Sequence, residues 1–140
     1  GECVAACSYG AIGVEWGSDK NAFQERIVEH AYGLFAEKGD KTIYLNFLID
    51  ISPECDCWSF SDASIVPDIG ILASRDIVAI EQASYDMVTE AVGSVGSVGE
   101  GLAAGVDKFH AIHEIDGQVA IAYAESLGMG TRDYSIKKIG

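Results

Sequence analysis

The residues best suited to chemistry in this chain are four cysteines in two close pairs, Cys3 with Cys7 and Cys55 with Cys57. In a chain with no sign of secretion, short paired spacings favour ligation of a soft metal or a cluster over structural disulfides. Cys3-Val-Ala-Ala-Cys7 has the x3 step of the ferredoxin-type pattern C-x2-C-x2-C-x3-C-P, in which four thiolates wrap one cubane. Glu2 fits the preceding step if a further cysteine stands upstream of Gly1, and Ser8 occupies the usual place of proline. Cys3 and Cys7 are therefore candidate ligands of a 4Fe–4S cluster whose other two ligands lie outside this sequence. On that reading the cluster forms only in a longer polypeptide. Local spacing leaves a second reading open, two buried or oxidised thiols with no ligand role.

The second pair sits in Glu54-Cys55-Asp56-Cys57. Residues i and i+2 of an extended segment point to one side, about 6–7 Å apart, close enough for two thiolates to share one soft ion. Asp50, Glu54, Asp56, Asp62 and Asp68 crowd the same stretch, with no Lys or Arg from Thr42 to Ser74. A cation would relieve their repulsion, which makes Cys55, Cys57, Asp56 and Asp62 candidate ligands of a second metal ion. The alternative is a solvated acidic loop with two incidental thiols. His30 reads as a packing residue on the first long helix, and His110 and His113 as surface residues three apart on a short one. Gly99-Glu-Gly-Leu-Ala-Ala104 matches G-x-G-x-x-A in form, but a helix precedes it where the dinucleotide fingerprint needs a strand.

The elements that would position these residues follow from periodicity. A helix is expected over residues 20–38, with Phe23, Ile27, Ala31, Leu34 and Phe35 on one stripe. Residues 42–49 read as a strand buried on both faces, residues 50–67 as a long loop, and residues 69–73 as a second short strand. Ser74 or Asp76 can cap a helix running to about residue 92. The five glycines of residues 93–105 suggest a mobile connection, followed by short helices near 107–114 and 117–127. Residues 10–16 and 134–139 are candidate short strands. Alternating strands and helices predict an α/β fold, a mixed and partly parallel sheet flanked by helices, truncated at the N-terminus. Residues 1–12 would be the tail of a ferredoxin-like motif and residues 13–140 a single α/β domain.

Composition narrows the partners. Nine Lys+Arg against 22 Asp+Glu give a formal net charge of −13, which argues against nucleic acid and anionic membranes, since both need clustered cations. No apolar run approaches the roughly 18 residues of a membrane span, and no signal-peptide pattern opens the chain. A cytoplasmic location is expected, with a homo-oligomer formed through an exposed sheet edge as one option.

The longer motifs carry a resemblance. Asn46-Phe-Leu-Ile-Asp-Ile-Ser-Pro-Glu-Cys-Asp-Cys57, Phe60-Ser-Asp-Ala63, Ile65-Val-Pro-Asp-Ile-Gly-Ile-Leu-Ala-Ser74 and Asp76-Ile-Val-Ala-Ile-Glu-Gln-Ala-Ser84 resemble the Domain of Unknown Function 362 family. Asp107-Lys-Phe109, His113 and the stretch from Tyr123 to Gly130 and Tyr134 resemble its C-terminal segment, so similarity is expected over nearly the whole chain. Ser8, Ser64 and Ile77 depart from it at places where proline is common. The resemblance implies a C-terminal fragment of an iron–sulfur-associated α/β protein with Cys3 and Cys7 as the last two cluster ligands, and no established reaction. Three readings follow. The first is a 4Fe–4S electron-transfer or redox protein whose redox partner or small-molecule substrate is unknown. The second is a non-redox metal-binding domain or hydrolase built on the acidic Cys55/Cys57 loop. The third is an acidic interaction domain without catalysis.

Overall fold

The computed structural model describes residues 5–13, 19–54 and 60–139. Helix α1 (Lys20–Lys38) starts at Asp19, whose carboxylate accepts the amides of Asn21 and Ala22, and ends at Gly39. A 3-10 turn, Gly39–Lys41, leads into strand β1 (Tyr44–Leu48). Strand β2 (Gly70–Ser74) is followed by helix α2 (Ile77–Glu90), capped by the Asp76 carboxylate on the Ala79 amide. Two short helices, α3 (Lys108–His113) and α4 (Gln118–Ser126), complete the order.

The expected parallel sheet is not formed. Helices dominate, and the sheet among the described residues is a two-stranded antiparallel pair, with Tyr44 opposite Ser74, Asn46 opposite Leu72 and Leu48 opposite Gly70. A parallel pair needs a crossover long enough to return to the same end of the sheet, usually a helix. Here the described residues between the strands, 49–54 and 60–69, hold no helix, and the strands run antiparallel. Asp50 begins that loop at φ 50°, in the left-handed region that aspartate tolerates better than most residues. Its amide donates to the Asp68 carboxylate at 2.9 Å, and Ser64 Oγ donates to the Asp50 carboxylate at 2.6 Å. The candidate strand at residues 134–139 is not a strand either. It lies beside β2 and α2 across a cavity of about 310 Å3 lined by Leu72, Ala79, Ile80, Tyr134 and Ile136. Of residues 10–16, those described form no strand.

Helix α2 is the centre of the fold. The sheet covers one side of it and α4 another, and α1 packs on α4. One apolar cluster joins Val28, Val78, Ile121 and Met129; a second joins Ile65, Val66 and Val88. Helix α1 therefore turns Val28 inward and leaves Phe23, Ile27 and Leu34 of its expected stripe exposed. Residues 93–105, expected to be mobile, are instead threaded tightly against this second cluster. The Gly93 amide donates to Leu102 O at 2.9 Å and the Ser94 amide to Ile65 O at 2.9 Å. No helix among the described residues is long and apolar enough to cross a membrane.

Candidate functional site

Of the sequence-based ligands, Cys7 and Asp62 lie among the described residues. Cys3, Cys55, Asp56 and Cys57 lie outside the described residues. Cys7 is a half-buried free thiol whose sulfur accepts the Ala11 amide at 3.3 Å. That amide, with those of Ile12 and Tyr9, holds the thiol below its ordinary pKa. The exposed Asp62 carboxylate accepts the amide of its own neighbour Ala63 at 2.8 Å. The Asp50 and Asp68 carboxylates are engaged in closing the loop. Among the described residues no group of three or more His, Cys, Asp or Glu could hold a metal ion. This corrects the expectation of a 4Fe–4S cluster, of a second metal ion and of an electron-transfer role: Asp50, Asp62 and Asp68 serve the loop's own amides and hydroxyls.

A different cluster lies beneath the same loop. His113, expected at the surface, is half-buried and its Nε2 donates to Pro53 O at 2.8 Å, since a carbonyl can only accept. His30, expected to pack, is exposed and only touches Arg26 O one turn back. A cleft of about 340 Å3 is lined by Pro53, Glu54, Tyr85, Phe109, His113 and Gly117. The Tyr85 ring rests on the Gly117 backbone, where an added Cβ would meet it at 2.5 Å. Its hydroxyl donates a short hydrogen bond to Asp107 Oδ2, while Asp107 Oδ1 caps α3 on the His110 amide at 3.0 Å. The next residue, Lys108, is fully buried, and its Nζ donates to Thr89 O at 2.6 Å and Ala103 O at 2.9 Å. Each of these groups is tied to a neighbour of its own chain, which gives the cluster a structural rather than a reactive character.

Burial, then the Asp107 carboxylate, raises the Tyr85 pKa well above its ordinary value. The folded chain thus keeps the phenol proton to a higher pH than the unfolded chain does. The stability this supplies is complete below the ordinary tyrosine value of 10.0 and is lost as pH rises above it. Tyr85→Phe is expected to cost about 1–2 kcal/mol at neutral pH. It is also expected to flatten the loss of stability above about pH 10 relative to the unmodified chain. Urea midpoints from neutral to alkaline pH test this; parallel curves for the two proteins would refute the assignment.

The sheet is built the opposite way round from a half-solvated one. Tyr44, Asn46, Leu48 and Leu72 face α2, and Asn46 Nδ2 donates to Ser84 Oγ at 2.9 Å and to Glu81 Oε1 at 3.1 Å. The outer face presents Leu45 (56% exposed), Phe47 (57%) and Ile71 (59%) beside Ala73, with Ile43 and Ile49 exposed at its ends. The expectation of a strand buried on both faces is therefore corrected. Lys41 and Arg75 bound this face at the Tyr44/Ser74 end, and Asp50 and Asp68 bound it at the Leu48/Gly70 end. The sequence signal for this arrangement was Asn46 in the middle of an apolar run, matched by Ser84 and Glu81 on the helix that follows β2.

Fold and face define a small acidic domain of helices on a two-stranded antiparallel sheet whose outer side is open and apolar. The chain belongs to the family described as Domain of unknown function (DUF362), which it matches over residues 5–86. The match covers more than half of the chain and ends within α2. That corrects the expectations of similarity along nearly the whole sequence and of a C-terminal fragment, and it carries no iron–sulfur assignment with it. No curated protein and no solved structure matches the chain.

Proposed function

We propose that the chain acts as an acidic protein-association domain that docks through the open face of its sheet. The observation that carries this reading is the inversion of the sheet: an asparagine faces the helix while leucine, phenylalanine and isoleucine face outward. Antiparallel sheets with one wet face normally place their polar residues there. Contiguous exposed apolar patches at the upper end of those on ordinary monomers mark interaction sites. The neighbouring acids give the face a charged rim, as association surfaces commonly have. The paired changes Phe47→Thr and Ile71→Thr place β-branched, strand-compatible side chains at both positions and remove the apolar surface. At high dilution the variant is expected to melt within a few degrees of the unmodified chain, as surface substitutions do, and to lose retention on a phenyl matrix. Unchanged retention, or unfolding of the variant, overturns the reading.

A further inference from the structure

We infer that the occupant of the open sheet face is a second copy of this chain, packed face to face with its strands reversed. The inference rests on the association reading above and names its partner. Leu45, Phe47, Ile71, Ile43 and Ile49 are each 46–67% exposed and make an apolar patch on the order of several hundred Å2. A stable interface of standard size takes about 800 Å2 from each partner, of which this apolar face would supply the core and the charged residues around it the rim. Two sheets stacked face to face sit about 10 Å apart, close enough for such side chains to interdigitate.

The charges at the ends choose the partner and the direction. Between Lys41 and Arg75 the chain has no cation, and its acids, Asp50, Glu54, Asp62 and Asp68 among the described residues, gather beyond the Leu48/Gly70 end. Lys137 and Lys138, which line a cavity there with Leu48, Ile69 and Gly70, offset only part of their charge. The opposite end carries Lys38, Lys41 and Arg75 against Glu37, Asp40 and Asp76, so it is close to neutral where the first end is acidic. A two-fold axis lying between the sheets and across the strands reverses the second copy end for end. About the Asn46/Leu72 pair at the middle of the register, that rotation sets Leu45 over the partner's Phe47 and Ile71 over the partner's Ala73, large against small. It also sets Arg75 near the partner's Asp68 and Lys41 near the partner's Asp50, each pairing occurring twice. The other in-plane axis would stack like charges at both ends. Overall charge opposes any self-association of so acidic a chain at low ionic strength. At about 0.15 M salt it is screened beyond roughly 8 Å, while close pairs persist.

Sedimentation equilibrium of the full chain at about 0.15 M salt is the test. The expected result is the mass of two chains for the unmodified protein and of one chain for the Phe47→Thr, Ile71→Thr variant. Arg75→Glu, an exposed change outside the strands, is expected to weaken the dimer about tenfold with no change in melting at high dilution. A dimer that survives the paired threonines overturns the inference, because the copies then meet elsewhere. A dimer indifferent to Arg75→Glu overturns the reversed packing. A single chain at about 100 µM overturns self-pairing altogether, and the phenyl-matrix result still decides separately whether the face is an association surface.

Discussion

Gly93→Ala is expected to cost about 3 kcal/mol or more, a large part of the stability of a domain this size. A Cβ at residue 93 would lie 1.7 Å from Gly99 O and 2.7 Å from Gly99 C. Gly99 cannot retreat, because a Cβ on it would already meet Ile65 O at 2.5 Å, and Ile65 is fully buried. Three backbone segments are stacked here without a side chain between them, and the obstructing atoms are backbone rather than the tip of a flexible side chain. The Gly93 amide also donates to Leu102 O at 2.9 Å and Leu102 returns its amide to Gly99 O at 3.1 Å, so moving the chain aside breaks the loop's own bonds. Gly96→Ala tests a different penalty: nothing lies near its Cβ, but its φ of 79° disfavours a side chain, which costs about 1–2 kcal/mol. Denaturant midpoints that rank Gly93→Ala as the milder of the two would contradict the stacking.

Lys108→Ala is expected to cost about 3–4 kcal/mol, and Lys108→Met about half of that. The lysine is completely buried, and its ammonium clips the end of α2, at Thr89 O, to the glycine loop, at Ala103 O. Burial pushes its pKa down, and Glu90 and Asp107 pull it back up. Because the folded value is lowered, the buried charge works against folding below the ordinary lysine value of 10.5, and that opposition fades as pH rises through the lowered value. Methionine preserves the packing of the stem and removes both the charge and the two hydrogen bonds. Thr89 O keeps the Gly105 amide at 2.9 Å and Ala103 O keeps the Val106 amide at 3.3 Å, which limits the loss. Alanine adds a cavity to it. Hydrogen exchange should accelerate across residues 93–105 in both variants; unchanged exchange there with equal losses of stability would show that the lysine acts only as filler.

What could be read beforehand was what depends on neighbours along the chain. Helix α1 begins and ends where its periodicity and Gly39 place it, and Asp76 caps α2 as its position before an apolar run suggests. Faces depend on what packs against them. The stripe through Phe23, Ile27 and Leu34 was legible as apolar, but α4 takes Val28 instead. Two strands with only a loop expected between them could have been read as antiparallel, and alternation elsewhere in the chain overrode that signal. Glycines at 93 and 99 were read as freedom of motion when they are the condition for close approach of backbones. The cysteines drew attention because thiolates do chemistry. The groups that organise the region, Tyr85, Asp107, Lys108 and His113, are scattered over 29 positions of the sequence and only folding brings them under one loop. Asp107, Lys108 and His113 did stand in the family-like motifs, without a role that spacing could assign.

The Asp76 carboxylate has one further consequence. One oxygen caps α2 through Ala79, and the other accepts the Thr131 amide at 3.0 Å, where Gly130 passes too close for any side chain. Tyr134 then reaches Asp86, nearly three turns along the same helix, at 2.8 Å. Peeling the final residues away therefore costs Asp76 its second hydrogen bond and leaves the cap on Ala79 in place. The segment over residues 131–134 is thus pinned at two places along the innermost helix, and opening it costs these two hydrogen bonds without unwinding that helix.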